Sequence, residues 1–274
     1  VQLSYRCLDP SVVAGDVLSL AHSVVLMSGT LTPTQMYTSL LGFDKNTCEV
    51  VYPSPFPEKN RLNMIIAKTS TKFTSRGEEQ FKNIAQVLTE VINVVPGNCA
   101  VFFPSYFMKD AVSRHMGGVH KSVFHESQEL SKNERDDLLE RFKSYKDVGA
   151  ALLAVTSGSF GEGIDLPGDE LKAVVVVGLP LSRPDLETKA LISYYDGKFR
   201  RGWDYGYIFL AFNRVIQSAG RCIRSETDKG VIVFLDERYT WNQYSRCFPD
   251  TWKLKVSVNR YQEQIRRFFE ENGS

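Results

Sequence analysis

Two periods alternate along the chain. Short apolar runs at residues 23–27, 63–67, 99–103, 150–155, 173–177 and 230–235 read as β-strands, and residues 122–125 as another. Between them apolar residues recur at helical spacing. Ser75-Arg-Gly-Glu78 reads as a capping box opening a helix whose Phe81, Ile84, Ala85, Leu88, Val91 and Val95 line one face. Residues 106–116 predict a second helix. Ser131-Lys-Asn-Glu134 is another capping box, with Leu138, Leu139, Phe142 and Tyr145 as its stripe. Ile208, Phe209, Phe212, Val215, Ile216 and Ala219 form a further stripe, and Tyr261, Ile265, Phe268 and Phe269 a last one, packed on the domain or meeting a partner. The proline-rich residues 52–57 are an extended connector.

Runs that are apolar throughout, such as Ala150–Val155 and Ala173–Val177, suit parallel strands covered on both faces. Strands alternating with helices imply right-handed βαβ units, and so an α/β fold with a doubly wound parallel sheet and helices on both faces. Such sheets bind ligands beyond the carboxyl ends of their strands. Four segments are expected on that rim: those after Met27, Phe103 and Val155, and the one leading into residues 230–235.

With 274 residues, one large domain at 1–245 and a small helical C-terminal extension at 246–274 are expected. Lys plus Arg number 33 against 32 Asp plus Glu, so no global field announces nucleic acid, and binding must come from local patches. Five cysteines without a C-x-x-C pair favour reduced thiols, in the cytoplasm or, in a eukaryote, the nucleus. They argue against a metal or cluster site in these residues, and the four histidines show no ligand spacing. No apolar run approaches the roughly 18 residues of a membrane span, so no membrane is expected. The start at Val1 without a methionine suggests a piece of something longer.

The chemistry concentrates in a few segments. Gln217-Ser-Ala-Gly-Arg-Cys-Ile-Arg224 sets Arg221 and Arg224 one helical turn apart. Planar, permanently charged guanidinium groups suit the equatorial oxygens of a phosphate in flight. The same arginines also read as surface ion-pair partners of Glu226, Asp228 or Asp236. Thr156-Ser-Gly-Ser-Phe-Gly-Glu-Gly-Ile-Asp165 offers hydroxyls and exposed backbone N–H groups for phosphate oxygens, or is a turn with Asp165 as a cap. Ser28-Gly-Thr-Leu-Thr-Pro33 reads as a turn that contacts a phosphate, or as a strand-to-helix turn with Thr32 as N-cap. From Tyr194 to Tyr205 aromatic rings interleave with cations, the composition of a single-strand platform. There Lys198, Arg200, Arg201 and Trp203 sit beside glycines in an expected loop, while Tyr194, Tyr205 and Tyr207 read as core; Arg238 is a further strand candidate.

Taken in order, Ser28-Gly-Thr-Leu31, Phe102-Phe-Pro-Ser-Tyr106, Gly158-Ser-Phe-Gly-Glu-Gly-Ile-Asp165 and Gln217–Arg224 with Asp228-Lys-Gly230 resemble the second motor domain of the XPD-like iron-sulfur DNA helicases. This superfamily 2 group also holds the FANCJ, RTEL and DinG types. The resemblance spans residues 7 to about 240, and the compact archaeal form matches it in length. It implies a RecA-like fold and an ATP-dependent helicase moving 5′ to 3′ on single-stranded DNA, with a role in DNA repair. Gln217, Arg221 and Arg224 would face the γ-phosphate, and Glu162, Gly163 and Asp165 would border the nucleotide. Ser105, Tyr106, Thr156, Ser157 and Ser159 would hold the strand, and Ser28, Gly29 and Thr30 would couple the two sites.

A phosphate loop, a D-E-A-H-type box and the family's four cluster cysteines are absent from the sequence. The resemblance therefore implies half a motor, inactive alone, that shares ATP and Mg2+ with an N-terminal motor domain. An iron-sulfur cluster belongs to the parent and not to this chain. Implied partners are that N-terminal domain, single-stranded DNA and subunits of repair or transcription factors. The competing reading is a non-catalytic RecA-like scaffold or regulatory module, which has no need of both arginines. A Rossmann-type dinucleotide enzyme would require a G-x-G-x-x-G that the chain lacks.

Overall fold

The computed structural model describes residues 3, 5–161, 166, 168–181 and 183–271. They form two units, residues 1–53 with 181–213, and residues 54–180 with 214–274.

The larger unit is built on seven parallel strands: β1 (Arg61–Ile66), β2 (Cys99–Phe103), β3 (Ser122–His125), β4 (Ala150–Val155), β5 (Ala173–Val177), β6 (Gly230–Leu235) and β7 (Leu254–Ser257). Their order is β3-β4-β2-β5-β6-β1-β7. Phe103 lies opposite Val155, and both Val177 and Ile66 lie opposite Leu235, so the carboxyl ends of five strands finish nearly level. Successive side chains on a strand point to opposite faces. Met64, Val101, Leu153, Val175 and Val233 therefore share one face, packed against Ile84, Leu88 and Val91 of α3 (Glu78–Val94), Met108 and Val112 of α4 (Tyr106–Ser113), and Tyr261 and Ile265 of α9 (Tyr261–Glu271). Each fully buried aliphatic or aromatic side chain contributes about 1.5–3 kcal/mol, which is why this face decides the position of all three helices.

On the opposite face Phe234 gathers Tyr239, Phe248 and Trp252, with ring centroids 5.2, 4.8 and 6.1 Å away, and the Arg61 guanidinium lies 4.9 Å from the Trp252 ring. Short helix α8 (Asn242–Ser245) leads into this cluster. The strand β7, which the sequence pattern does not announce, extends the sheet beside β1. The sheet thus continues past residue 245, and the boundary expected there does not coincide with either unit. Ser131 and Glu134 form the expected capping box on α5 (Lys132–Ser144). The box expected at Ser75 does not form: Ser75 closes a tight turn, and α3 starts three residues later behind Gly77.

The smaller unit contains α1 (Ser11–Leu20), α2 (Thr34–Leu41) and α6 (Leu186–Phe199), and the division falls within α7 (Phe209–Ala219). Asp9 anchors its N-terminal segment, accepting from Tyr194 Oη at 2.6 Å, Lys198 Nζ at 2.7 Å and Ser11 Oγ at 2.6 Å. The Lys198 ammonium, with these hydroxyls, holds the Asp9 carboxyl far below the usual carboxylate range. Tyr195, Phe199, Tyr205 and Phe209 follow one another at centroid spacings of 5.9, 5.7 and 6.2 Å. The strand expected at residues 23–27 is not formed. A strand needs a neighbour for its backbone groups, and among the described residues nothing pairs with this segment; Val25 and Met27 are 81% and 83% exposed.

All five cysteines are free; Cys7 and Cys48 are exposed, and the other three are buried. Burial pushes the Cys99 and Cys222 thiols up to about 12. Titration of the native chain with an aromatic disulfide reagent at about pH 8, where an exposed thiol is partly thiolate, is expected to count two fast thiols. The remaining three should react only after unfolding.

Candidate functional site

At the carboxyl rim of the larger unit, β2 ends at Phe103 and the chain turns through Pro104 into α4. Ser105 caps that helix, its Oγ accepting from Met108 N at 3.2 Å. Tyr106 follows on the first turn. Burial, then the charge of the nearby Glu126, pushes its hydroxyl up to about 12. Glu126 lies just past β3 and is fully buried. Its Oε2 accepts from Val155 N at 2.8 Å and its Oε1 from Phe160 N at 3.2 Å, so one side chain grips both ends of the loop that leaves β4. Ser157 and Ser159 are exposed on that loop, and Arg135 of α5 donates to Ser159 Oγ at 2.5 Å.

Ser159, named from the sequence, is thus held by Arg135, and the loop that carries it by Glu126, both of which sequence reasoning missed. The available signal for Glu126 was an acidic residue directly after a strand of a parallel sheet, and for Arg135 a basic residue on the first turn of a capped helix. Thr156 requires a correction as a strand contact. It is buried, and its hydroxyl donates to Phe103 O at 2.8 Å, closing the edge between β2 and β4. Glu162, Gly163 and Asp165, expected to border a nucleotide, lie outside the described residues.

The arginine motif does not sit on that rim. In a parallel sheet a segment leading into a strand must approach its amino end, and Cys222 Sγ lies 3.6 Å from Val231 O at the start of β6. Gly220–Cys222 is a tight turn continuing α7, and Gln217 is exposed on that helix. Arg221 is only 6% exposed, and its Nη2 donates to the Gly161 carbonyl. Gly161 packs against the Val155 and Thr156 carbonyls at the end of β4, so the buried arginine side chain reaches the loop that leaves that strand. Asp228 accepts from the backbone of Arg224 at 2.7 Å and of Ser225 at 2.9 Å, closing the turn on which the exposed Arg224 stands.

Arg238 is a second correction. Its side chain is 9% exposed, with Nε 2.9 Å from Asp236 Oδ1 and Nη2 2.8 Å from Asp236 Oδ2 and 2.6 Å from Thr71 Oγ1. Thr71 N also donates to Asp236 at 2.7 Å. A guanidinium committed in this way ties the end of β6 to the end of β1 and is not presented to a strand. Gly178 lets the end of β5 approach, since a Cβ there would stand 2.1 Å from Thr71 Oγ1.

In the smaller unit, Ser28 Oγ accepts from Thr30 N at 3.2 Å in an exposed turn around Gly29. Lys198 is not in a loop: it lies in the last turn of α6, paired with Asp9. The helix forms through Gly197 because Asp185 caps its start, accepting from Thr188 N at 2.8 Å, and its aromatic residues pack. Arg200, left-handed at φ 58°, ends the helix. Beyond it Arg201 and Trp203 are exposed, and Trp203 sets its ring edge to face with Tyr207 at 5.6 Å. Tyr205 is buried, as its core reading requires. The predicted site residues therefore divide between the two units.

No three His, Cys, Asp or Glu side chains converge into a metal site among the described residues, and no described helix is long and apolar enough to cross a membrane. A helicase C-terminal domain family matches residues 88–255. The chain is similar to the XPD/RAD3 helicase subunit of general transcription and DNA repair factor IIH from Saccharomyces cerevisiae, 29% identical over 254 residues, 87% of this chain and 32% of that protein. It is similar to the ATP-dependent DNA helicase chl1 of Schizosaccharomyces pombe, 29% identical over 280 residues, 92% of this chain and 33% of that protein. The chain spans about a third of the length of these curated relatives. Among solved structures, an apo XPD matches with a TM-score of 0.72 and 22% identity over 92% of this chain and 51% of its own. Xpd4 of S. tokodaii matches with 0.63 and 21% over 89% and 46%. The fold is therefore the RecA-like one of XPD, and the chain belongs to the helicase C-terminal domain family as an XPD-like superfamily 2 member.

Proposed function

We propose that this chain is the C-terminal motor half of an ATP-dependent DNA helicase that moves 5′ to 3′ on single-stranded DNA. The observation that carries the reading is the contact of Arg221 with the Gly161 carbonyl, which links the arginine motif directly to the hydroxyl-bearing loop after β4. A motor must let its nucleotide state alter its grip, and this contact supplies a physical connection for it. Arg221 and Arg224 neutralise charge developing on the transferred phosphoryl group, with Gln217 beside them, once a domain carrying a phosphate loop presents ATP. The described residues offer the nucleotide cationic groups, and no three His, Cys, Asp or Glu side chains among them converge on a metal. Strand contacts come from Ser105, Tyr106, Ser157 and Ser159 in the larger unit and from Arg200, Arg201 and Trp203 in the smaller one. The turn of Ser28, Gly29 and Thr30 couples the two functions. As in the factor IIH relatives, the partners are subunits of a repair or transcription assembly.

Fluorescence anisotropy of a labelled single strand, titrated at two salt concentrations, tests the reading. Binding should weaken with salt, and each phosphate contact removed by Arg200→Ala or Arg201→Ala should reduce the log–log salt slope by about 0.7. Trp203→Ala should lower affinity by a stacking contribution of about 1–3 kcal/mol without changing the slope. Absence of binding at low salt would sink the strand-gripping half of the proposal.

A further inference from the structure

We infer that Glu126 is a positioning residue that holds the loop after β4 against α4 as one strand-gripping surface. The inference rests on the strand-gripping reading above and assigns its geometry to a residue outside every recognised motif.

Val155 and Phe160 stand five positions apart, yet their N–H groups reach the two oxygens of one fully buried carboxylate. That closes the base of the loop and leaves Ser157 and Ser159 on its exposed side. The segment after β2 meets the same residue through Lys109 of α4. The loop lies so close that a Cβ at Gly158 would stand 2.5 Å from Glu126 Oε1. Lys109, itself buried, donates to the Glu126 main-chain carbonyl at 2.5 Å and fixes the backbone from which the side chain springs. A carboxylate offers acceptors only, which the two converging N–H donors require. Glutamine would turn an NH2 group against one of them. Phosphates along a strand are gripped at fixed spacings, so two contact segments are useful only when their separation is set; Glu126 sets it.

The test uses the whole chain, with hydrogen exchange and strand anisotropy read on the same samples. In Glu126→Gln the amides of Val155 and Phe160 are expected to exchange about tenfold faster while those of β6 stay as in the wild type. Affinity for an oligothymidine of about 20 nucleotides should fall about threefold or more. Glu126→Asp, which keeps the charge but is one methylene shorter, should recover part of both. Gly158→Ala presses on the same carboxylate from the loop side and is expected to reproduce the glutamine result, so the test survives a folding failure of either variant. Unchanged exchange in the folded variants overturns the clamp. Loosened amides with unchanged affinity overturn its role in positioning. A wild-type chain that binds no strand at about 50 mM salt overturns the underlying strand reading, and is recognised before any substitution is made.

Discussion

Arg221→Ala, made in a helicase that carries this domain beside a phosphate-loop domain, is expected to lower ATP turnover about 10³-fold or more, the range found for arginines that act in phosphoryl transfer. Strand affinity in the absence of nucleotide should change little, because Glu126 still holds Val155 and Phe160 when the Gly161 carbonyl loses its donor. Arg221→Lys should fall almost as far: an ammonium keeps the charge but not the planar fork that can serve a carbonyl and a phosphate in turn. The measurement is kcat for ATP at saturating single strand, with anisotropy on the same preparations. Turnover within a few fold of wild type would remove Arg221 from the chemistry and leave it as a fastener of the loop. Arg224→Ala provides a comparison, because Arg224 is exposed on a turn whose shape Asp228 maintains through backbone bonds.

The second large effect concerns stability. Asp236→Ala is expected to destabilise the larger unit by about 3–5 kcal/mol, since it strands a buried guanidinium and leaves Thr71 N–H without its acceptor. At roughly 2–4 °C per kcal/mol for a domain of this size, the midpoint of thermal unfolding should drop by about 10 °C. Thr71→Val, which removes a hydroxyl but leaves the ion pair, should cost less. Arg238→Ala separates the two roles considered for that residue. As a fastener of β6 to β1 it lowers the melting temperature and leaves the salt slope of strand binding alone. A reduced slope with unchanged melting would restore it as a strand contact.

These two arginines show why residue type is a weak guide to role. Arg221 and Arg238 are equally buried, at 6% and 7% exposed. One points its guanidinium at a backbone carbonyl of a functional loop, the other at a carboxylate two residues away. Nothing in the order of residues separates those cases, because the Arg238 partners include Thr71, which is 167 positions distant.

The sequence by itself determined the central strands and the helices with one apolar stripe. β2, β4, β5 and β6 begin and end where their apolar runs do, because a strand buried on both faces leaves an unbroken local record. It also determined the motif order from which the family follows. What it did not contain were elements whose stability comes from neighbours. β7 is four residues at a sheet edge, held by pairing with β1; α6 carries glycine near its end and persists through packed rings and the Asp9 anchor. Residues 23–27 are the converse, an apolar run without a neighbour and therefore no strand. The placement of the arginine motif at the amino end of β6, the withdrawal of Thr156 and Arg238 from the surface, and the convergence of Val155 and Phe160 on Glu126 were decided by tertiary structure alone. Each depends on which distant donors and acceptors the parallel register brings within about 3 Å, and hydrogen bonding at that range leaves no period in a sequence.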